Sequence, residues 1–512
     1  MKLPALLGQL GLTAAITKEL KSSNRLLPTT TEQRVLHNRV GEVEALIKAS
    51  LQQNGDAERA SVVVAAKTKG SRPLNMWRLQ DRVLYRALVD RLKLKLPEDL
   101  QGRETHDEFE RRPHQNPDNI FISTTDITAY YQYVDHDVLA DELIAQTGDF
   151  HTVTALTTLL GQVMGGQVGI PQVHDSSDTL GDTYIDPIRR KLIRAGYDSY
   201  CYADDFRIGC ANLGEARESL EVCAAAAREL GLVLNDAKTF TYHRDTYAKT
   251  LGRRAAAAEK LLEGVGLQPE VDRFLFNHDY TDRWTPDTKP VAPDLSSIDD
   301  TAPTQGGEDD IDVDELNGQR DALMREVWRV WTEHPEQRRS PTVRGWLGQA
   351  LPVLGHLNER GPVEHLEELL DNAPDLTPQV ADYLTHFAST LMFDIWVDPK
   401  IFRLLNSDRH SEWQKLWLIH AAGSLGHHAS SETIEWLNNC VSSGSQVLAA
   451  YSADALGRLE RGDFATLTKA LDRVTPEFRP PIIWALGQLD TDKAQAITDS
   501  KIDRLMLPPE QA

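Results

Sequence analysis

Along this chain of 512 residues the rhythm of apolar and polar positions changes three times. Residues 1–60 read as helices with polar breaks. Gly8, Gln9, Thr13 and Lys18 interrupt the Leu-rich start, which makes it an amphipathic helix and not a signal peptide. The run Thr29-Thr30-Thr31-Glu32 supplies an N-cap threonine for a further helix. Residues 61–80 fit two strands around a turn at Lys69-Gly70, and 81–98 a helix. From 120 to 245 strand and helix signals alternate. Ile120-Phe121-Ile122-Ser123-Thr124-Thr125 is strand-like and ends at Asp126, before Ile127 and the paired Tyr130 and Tyr131. The stretch from Asp186 to Tyr200, then Tyr202-Ala203-Asp204-Asp205, then Phe206 and Ile208, predicts a strand, a tight turn and a second strand. Ala255–Leu267 is rich in Ala and Leu and predicts a helix.

The next segment breaks the pattern. Residues 286–316 hold ten acids and one lysine, with Pro286, Pro290, Pro293 and Pro303 and almost no large apolar side chains, so they predict a linker that cannot bury a core. Beyond it the sequence is helical. Leu425-Gly426, Leu456-Gly457 and Leu486-Gly487 recur at steps of 31 and 30 residues, each after small residues that let helices approach, and the spacing predicts a short HEAT-like α-solenoid. Eight of the ten tryptophans lie in this part, among them Trp413, Trp417, Trp436 and Trp484; at helical spacing they read as core packing rather than base-stacking platforms.

An apolar content of 41% is that of an ordinary globular protein, and no stretch approaches transmembrane length, so the expected compartment is the cytoplasm with no membrane partner. Cys201, Cys210, Cys223 and Cys440 lack metal-ligand spacing and read as small apolar residues. The net charge of −22 argues at first against nucleic acid, but it is unevenly placed: residues 1–285 carry a net of −5 and 286–512 a net of −17. Residues 59–95 hold ten basic side chains (among them Lys67, Lys69, Arg72, Arg82, Arg86, Arg91 and Lys95) against two acids, a phosphate-facing surface if it is not merely a solvated helix face.

An isolated Asp-Asp pair is ordinarily a solvated turn. Here Asp126 lies 78 residues upstream of Asp204 at a strand end, and three carboxylates that meet would suit a hard divalent cation. In this order the chain also carries Asp126-Ile127 followed by Tyr130-Tyr131, Gly169-Ile170-Pro171-Gln172, Tyr202-Ala203-Asp204-Asp205, and Leu230-Gly231-Leu232-Val233-Leu234-Asn235-Asp236-Ala237-Lys238-Thr239. These four blocks resemble the reverse transcriptases, and Lys67-Thr68-Lys69-Gly70-Ser71-Arg72-Pro73 with Asp81-Arg82-Val83 resembles their fingers; the likeness covers residues 59–245. It implies an α+β right-hand polymerase fold: N-terminal helices and fingers over 1–119, a palm over 120–245, a thumb-like segment over 246–285, the acidic linker over 286–316 and the all-α repeat domain over 317–512.

The resemblance further implies nucleotidyl transfer with two Mg²⁺ ions, Mn²⁺ being an alternative, held by Asp126, Asp204 and Asp205, with Asp205 the less direct ligand. Arg72 and Lys69 match positions that grip the triphosphate, and Lys238 the lysine that protonates departing pyrophosphate. Tyr131 matches the aromatic under the incoming sugar, where it would crowd a 2′-hydroxyl and select dNTPs, while Gln172 and Ser177 match the loop that contacts template and nucleotide. RNA or nascent DNA is the expected macromolecular partner.

One departure narrows the reading. Where the family continues Pro-Gln-Gly-Ser-Pro, this chain has Pro171-Gln172-Val173-His174-Asp175-Ser176-Ser177, and the lost glycine removes a permissive backbone. The following Ser177-x-x-Leu180 and the helical C-terminal half resemble abortive-infection reverse transcriptases. That group implies bacterial antiphage defence, homo-oligomers, and DNA synthesis that proceeds without a conventional template and is primed from a tyrosine. Two alternatives stand beside it: a templated retron-like polymerase, and an idle RNA-binding palm with a C-terminal effector, for which Arg403 and His410 offer the Arg-x6-His spacing of HEPN nucleases.

Overall fold

A computed structural model describes residues 6–22, 24–53, 56–251, 313–386 and 396–508. Three helices come first: α1 (Leu12–Lys21), α2 (Thr31–Leu36) and α3 (Val40–Gln52). The threonine run caps α2 as expected, since the Thr30 hydroxyl accepts from the Gln33 N–H and the Gln33 side chain accepts from the Thr30 N–H. Strands β1 (Ser61–Ala66) and β2 (Ser71–Met76) form the antiparallel hairpin predicted for this region, with Arg72 opposite Ala65. Gly70, at φ +88, supplies the left-handed residue of its turn.

Helix α4 (Leu79–Lys93) corrects the charge reading. Arg82 and Arg86 pair with Glu19 of α1, and Arg91 and Lys95 pair with Asp149, so these cations tie elements together and offer no phosphate-facing surface. Arg86 is buried, not solvated.

The palm-like part runs α5 (His106–Gln115), β3 (Phe121–Asp126), α6 (His136–Thr147), α7 (Phe150–Met164), α8 (Asp175–Arg194), β4 (Asp198–Tyr202), β5 (Asp205–Cys210), α9 (Leu213–Glu229) and β6 (Phe240–His243). Its strands form one antiparallel sheet in the order β4-β5-β3-β6. Strand alternation buries Ser123, Thr125, Phe206 and Ile208 on one face, where the Ser123 hydroxyl donates to the Ala216 carbonyl of α9. The opposite face carries Asp126 beside Asp205 and Thr124 beside Arg207. The strand predicted to lead in from Asp186 is shorter than expected. Asp186 lies inside α8, where it pairs with Arg189 and Arg190, and β4 begins only at Asp198.

The predicted thumb helix over Ala255–Leu267 and most of the acidic linker lie outside the described residues. The linker's last four positions, 313–316, open α10 (Val313–Glu333) instead. From there the described residues contain helices and no strand: α11 (Pro341–His356), α12 (Gly361–Asn372), α13 (Thr377–His386), α14 (Asp398–Leu405), α15 (Glu412–Ala422), α16 (Ser431–Ser443), α17 (Gln446–Arg458), α18 (Phe464–Leu471), α19 (Arg479–Leu489), α20 (Thr491–Ile497) and α21 (Lys501–Arg504).

The ~30-residue step of the sequence marks a real succession, in which α15 packs on α17 and α17 on α19. Two of the Leu-Gly pairs sit within α17 and α19, whereas Leu425-Gly426 follows the end of α15. A Cβ on Gly457 would stand 2.7 Å from Trp484 and 2.9 Å from the Ala485 Cα, so this glycine sets the α17–α19 approach. Trp331, Trp346, Trp413 and Trp417 are fully buried, as core packing predicts.

The helical half docks on the N-terminal half. Both Trp413 and Trp417 donate their indole N–H to the Leu26 carbonyl, and Arg34 and Thr31 of α2 bond to Asp454 of α17. The hairpin is held too: Ser61 donates to Glu477 at 2.8 Å and Thr68, at the turn, to Asp375 at 2.9 Å.

Candidate active site

The end of β3 and the β4–β5 turn build the site. The two-residue connection Ala203-Asp204 needs one left-handed residue, and Ala203 takes it at φ 50, a strained conformation for a residue with a Cβ. The Ile127 N–H donates to the Asp204 carbonyl at 3.0 Å, which fastens the turn to the end of β3. Asp126, Asp204 and Asp205 thereby come together, each with a carboxylate oxygen within 4.8 Å of the others. Among the described residues this is the one cluster of three or more candidate metal ligands.

The three acids differ in their surroundings. Asp126 is buried, accepts from the Asn235 side-chain amide at 3.1 Å and from the Lys238 ammonium at 2.8 Å, and its carbonyl accepts from the Asn235 N–H at 2.7 Å. Asp204 is pushed up to about 6, first by burial and then by the charges of Asp126 and Asp205. Burial also raises Asp205, against the pull of Arg207, whose guanidinium lies 3.6 Å from its carboxylate, 3.8 Å from Glu110 and over the ring of Phe109. Asp126 thus has Lys238 and Asp205 has Arg207 for a nearby cation, while Asp204 meets the charges of both other acids.

Basic groups approach from two directions. Burial lowers Lys238, but its hydrogen bond to Asp126 and the surrounding carboxylates outweigh that and raise it. Across the cluster, Lys67 at the end of β1 is lowered by burial and then by the charges of Arg72 and Lys238, while Asp204 and Asp126 pull it back up. The hairpin therefore places Lys67 within electrostatic reach of the acids, and Arg72 within reach of Lys67. Lys69 lies at the exposed turn.

Residues 63–255 match the family model described as reverse transcriptase (RNA-dependent DNA polymerase). This segment is similar to that family. The activity the family's description names is RNA-dependent DNA polymerisation, a nucleotidyl transfer. A solved telomerase from Candida albicans, in complex with a fragment of telomeric RNA, matches at 11% identity and a TM-score of 0.32, over 85% of this chain and 65% of that one. The alignment thus spans under two thirds of the telomerase chain. No curated protein matches the sequence. No described helix is long and apolar enough to cross a membrane.

Within the matched segment the donor set fits divalent cations: three carboxylates, no soft ligand, and repulsion between acids that a dication relieves. Tyr131 lies in a short 3-10 turn after β3, and Gln172 is half-buried in the loop before α8. Ser177 corrects the sequence reading. It is fully buried on the first turn of α8, and its hydroxyl shares a 2.8 Å hydrogen bond with Tyr85 of α4, so it joins two helices and lines no open site. The missing glycine has a further outcome: Val173 itself adopts φ +58, keeping the left-handed backbone that a glycine would give, at a steric cost for a β-branched side chain. Arg403 and His410 do not share a helix face. Arg403 is exposed on α14, which ends at Leu405, while His410 is buried in the turn beyond, its Nδ1 2.8 Å from the Leu404 carbonyl.

Asn235 and Arg207 carry no role in the sequence reading, and Lys67 only a share in a basic, phosphate-facing run. Asn235 stands within a motif block with nothing to single it out. The role of Arg207 depends on strand register and on α5, which no local pattern reports.

Proposed function

We propose that this protein is a DNA polymerase of bacterial antiphage defence, which adds dNTPs by two-metal nucleotidyl transfer, without a conventional template and with a protein tyrosine as primer. The observation that carries the reading is the meeting of Asp126, Asp204 and Asp205, with Lys67 of the hairpin within their electrostatic reach. Two Mg²⁺ ions, replaceable by Mn²⁺, would be held by the three aspartates and would activate the attacking hydroxyl and neutralise the triphosphate.

The chain's own groups do the rest. Asn235 and the β3 backbone hold Asp126 in place. Arg207 offsets part of the Asp205 charge, which suits the less direct member of the three. Lys67 and Arg72 receive the triphosphate, and protonated Lys238 supplies a proton to the leaving pyrophosphate. Tyr131 borders the sugar and Gln172 the nucleotide.

The defence role and the unconventional template rest on the departure at Val173 and on the HEAT-like helical half, which contacts the fingers hairpin at Ser61 and Thr68. In this reading copies of the chain assemble into an oligomer in the cytoplasm. The test is incubation of purified protein with labelled dNTPs and Mg²⁺, with and without RNA, followed by protease digestion. Label that stays on the protein until digestion supports protein priming. Extension that needs both added RNA and a primer refutes it and points to a templated, retron-like enzyme. The buried His410 gives a nuclease reading no support.

A further inference from the structure

Tyr131 is fixed in position at both its backbone and its ring. Its carbonyl accepts from the Ile170 N–H at 2.9 Å, so the loop before α8 holds the main chain. Its hydroxyl donates to the Asp178 carboxylate of α8 at 2.7 Å. Asp178 is held in turn: Arg103 lies 3.4 Å from the same oxygen, donates to the Asp178 carbonyl at 3.2 Å and makes two 2.6 Å bonds to Asp182 one helical turn along. The guanidinium of Arg103 also covers the ring of Tyr202, the first residue of the Tyr-Ala-Asp-Asp turn.

The ring has little room to tilt. Gly181 of α8 faces it, and a Cβ there would stand 3.4 Å from its Cε1 and 3.5 Å from its hydroxyl. The ring of Tyr130 packs beside it, with centroids 5.2 Å apart, and the same Gly181 faces both rings. Burial and the Asp178 charge both raise Tyr131 far above the ordinary phenol value, so the hydroxyl stays a donor to Asp178 throughout the working pH range.

We propose that Asp178, with Arg103 behind it, is a specificity-determining residue: it anchors the Tyr131 hydroxyl and so makes the ring a rigid wall against a ribose 2′-hydroxyl. An aromatic ring free to rotate or tilt excludes an added hydroxyl poorly, because a contact that can move aside costs the wrong substrate little; a ring held at its far end excludes it well. The anchoring aspartate touches no substrate and acts through the tyrosine. This inference rests on the reading that Tyr131 borders the incoming sugar.

The experiment measures kcat and KM for a dNTP and the matching rNTP with the full-length chain carrying Tyr131→Ala, Tyr131→Phe, Asp178→Ala, Asp178→Asn, and the Tyr131→Phe/Asp178→Ala pair. The anchor predicts that Tyr131→Phe and Asp178→Ala each lower dNTP-over-rNTP selectivity by about tenfold, chiefly by improving the rNTP, and that Asp178→Ala leaves dNTP kcat little changed. The double variant should be no worse than either single one, since both remove the same hydrogen bond. Asp178→Asn, which still offers an oxygen to the tyrosine, should restore most of the selectivity. If Tyr131→Ala leaves selectivity untouched, the placement of Tyr131 at the sugar fails. If Tyr131→Ala relaxes it while Tyr131→Phe and Asp178→Ala do not, or if the two multiply in the double variant, the anchor alone is overturned. Tyr131→Phe changes no charge, so it decides the matter even if loss of Asp178 unfolds α8.

Discussion

Replacing Asp204 with Asn should make the ion-free protein more stable while it abolishes polymerisation. The structure crowds three carboxylates within 4.8 Å, and Asp204 titrates at about 6 against its ordinary 3.8. Its folded-state value is raised, so ionisation opposes folding: the cost is absent below the ordinary value, grows as the pH rises, and is complete above about 6. Each unit is worth ~1.4 kcal/mol, and allowing for the partial exposure of the turn, the penalty is about 2 kcal/mol at neutral pH. Asn keeps the shape and removes the charge, and for a domain near 200 residues that gain corresponds to about 4–8 °C in Tm. The assay is thermal denaturation in chelator across pH, repeated with Mg²⁺, alongside dNTP incorporation. Wild type should gain stability as the pH falls toward the ordinary carboxylate value, and the variant should lose that dependence. Mg²⁺ should raise the Tm of wild type well above any effect on the variant. A variant that is less stable in chelator at neutral pH, or one that Mg²⁺ stabilises as strongly as wild type, would refute the argument.

Asn235→Ala should weaken apparent Mg²⁺ affinity by about tenfold or more in an incorporation titration, because an outer residue that orients a ligand carboxylate is lost, with Mn²⁺ restoring much of the rate. Lys67→Ala should raise KM for dNTPs by about tenfold to a hundredfold, the worth of a charge-assisted contact, and Lys69→Ala by much less, as steady-state kinetics on the two would show. Ser177→Ala should cost about 1–3 kcal/mol in chemical denaturation by leaving the Tyr85 hydroxyl buried and unpaired, with KM for dNTPs unchanged; a large KM effect would return Ser177 to the substrate.

What could be read from the chain was local. The β1–β2 hairpin, β3 and the Tyr202–Asp205 turn declare themselves through alternation and turn chemistry within a few residues, and the acids at their ends follow. Helix α8 contains Gly181 and Pro187 and is capped by the side chain of His174, an unusual start, so local pattern reads its C-terminal part as strand and its first turn as open loop, which misplaces Asp186 and Ser177 together. The role of Arg207 needs the pairing of β5 with β3 and the ring of Phe109 from α5. Docking of the two halves was invisible for a different reason: Arg34 and Asp454, or Ser61 and Glu477, are more than 400 residues apart, and no periodicity spans that distance.

That docking has a mechanical consequence. Strand β1 packs on α15, its first residue is bonded to Glu477 and the turn beyond it to Asp375, while Lys67 and Arg72 ride on the same hairpin. Force applied to the helical half therefore reaches Lys67 through the hairpin: under the proposed function, a ligand that levers those helices outward draws this cation off the carboxylates, and one that presses them inward seats it. The helical half is built as a handle on the hairpin, and cutting it away would leave the hairpin without its brace.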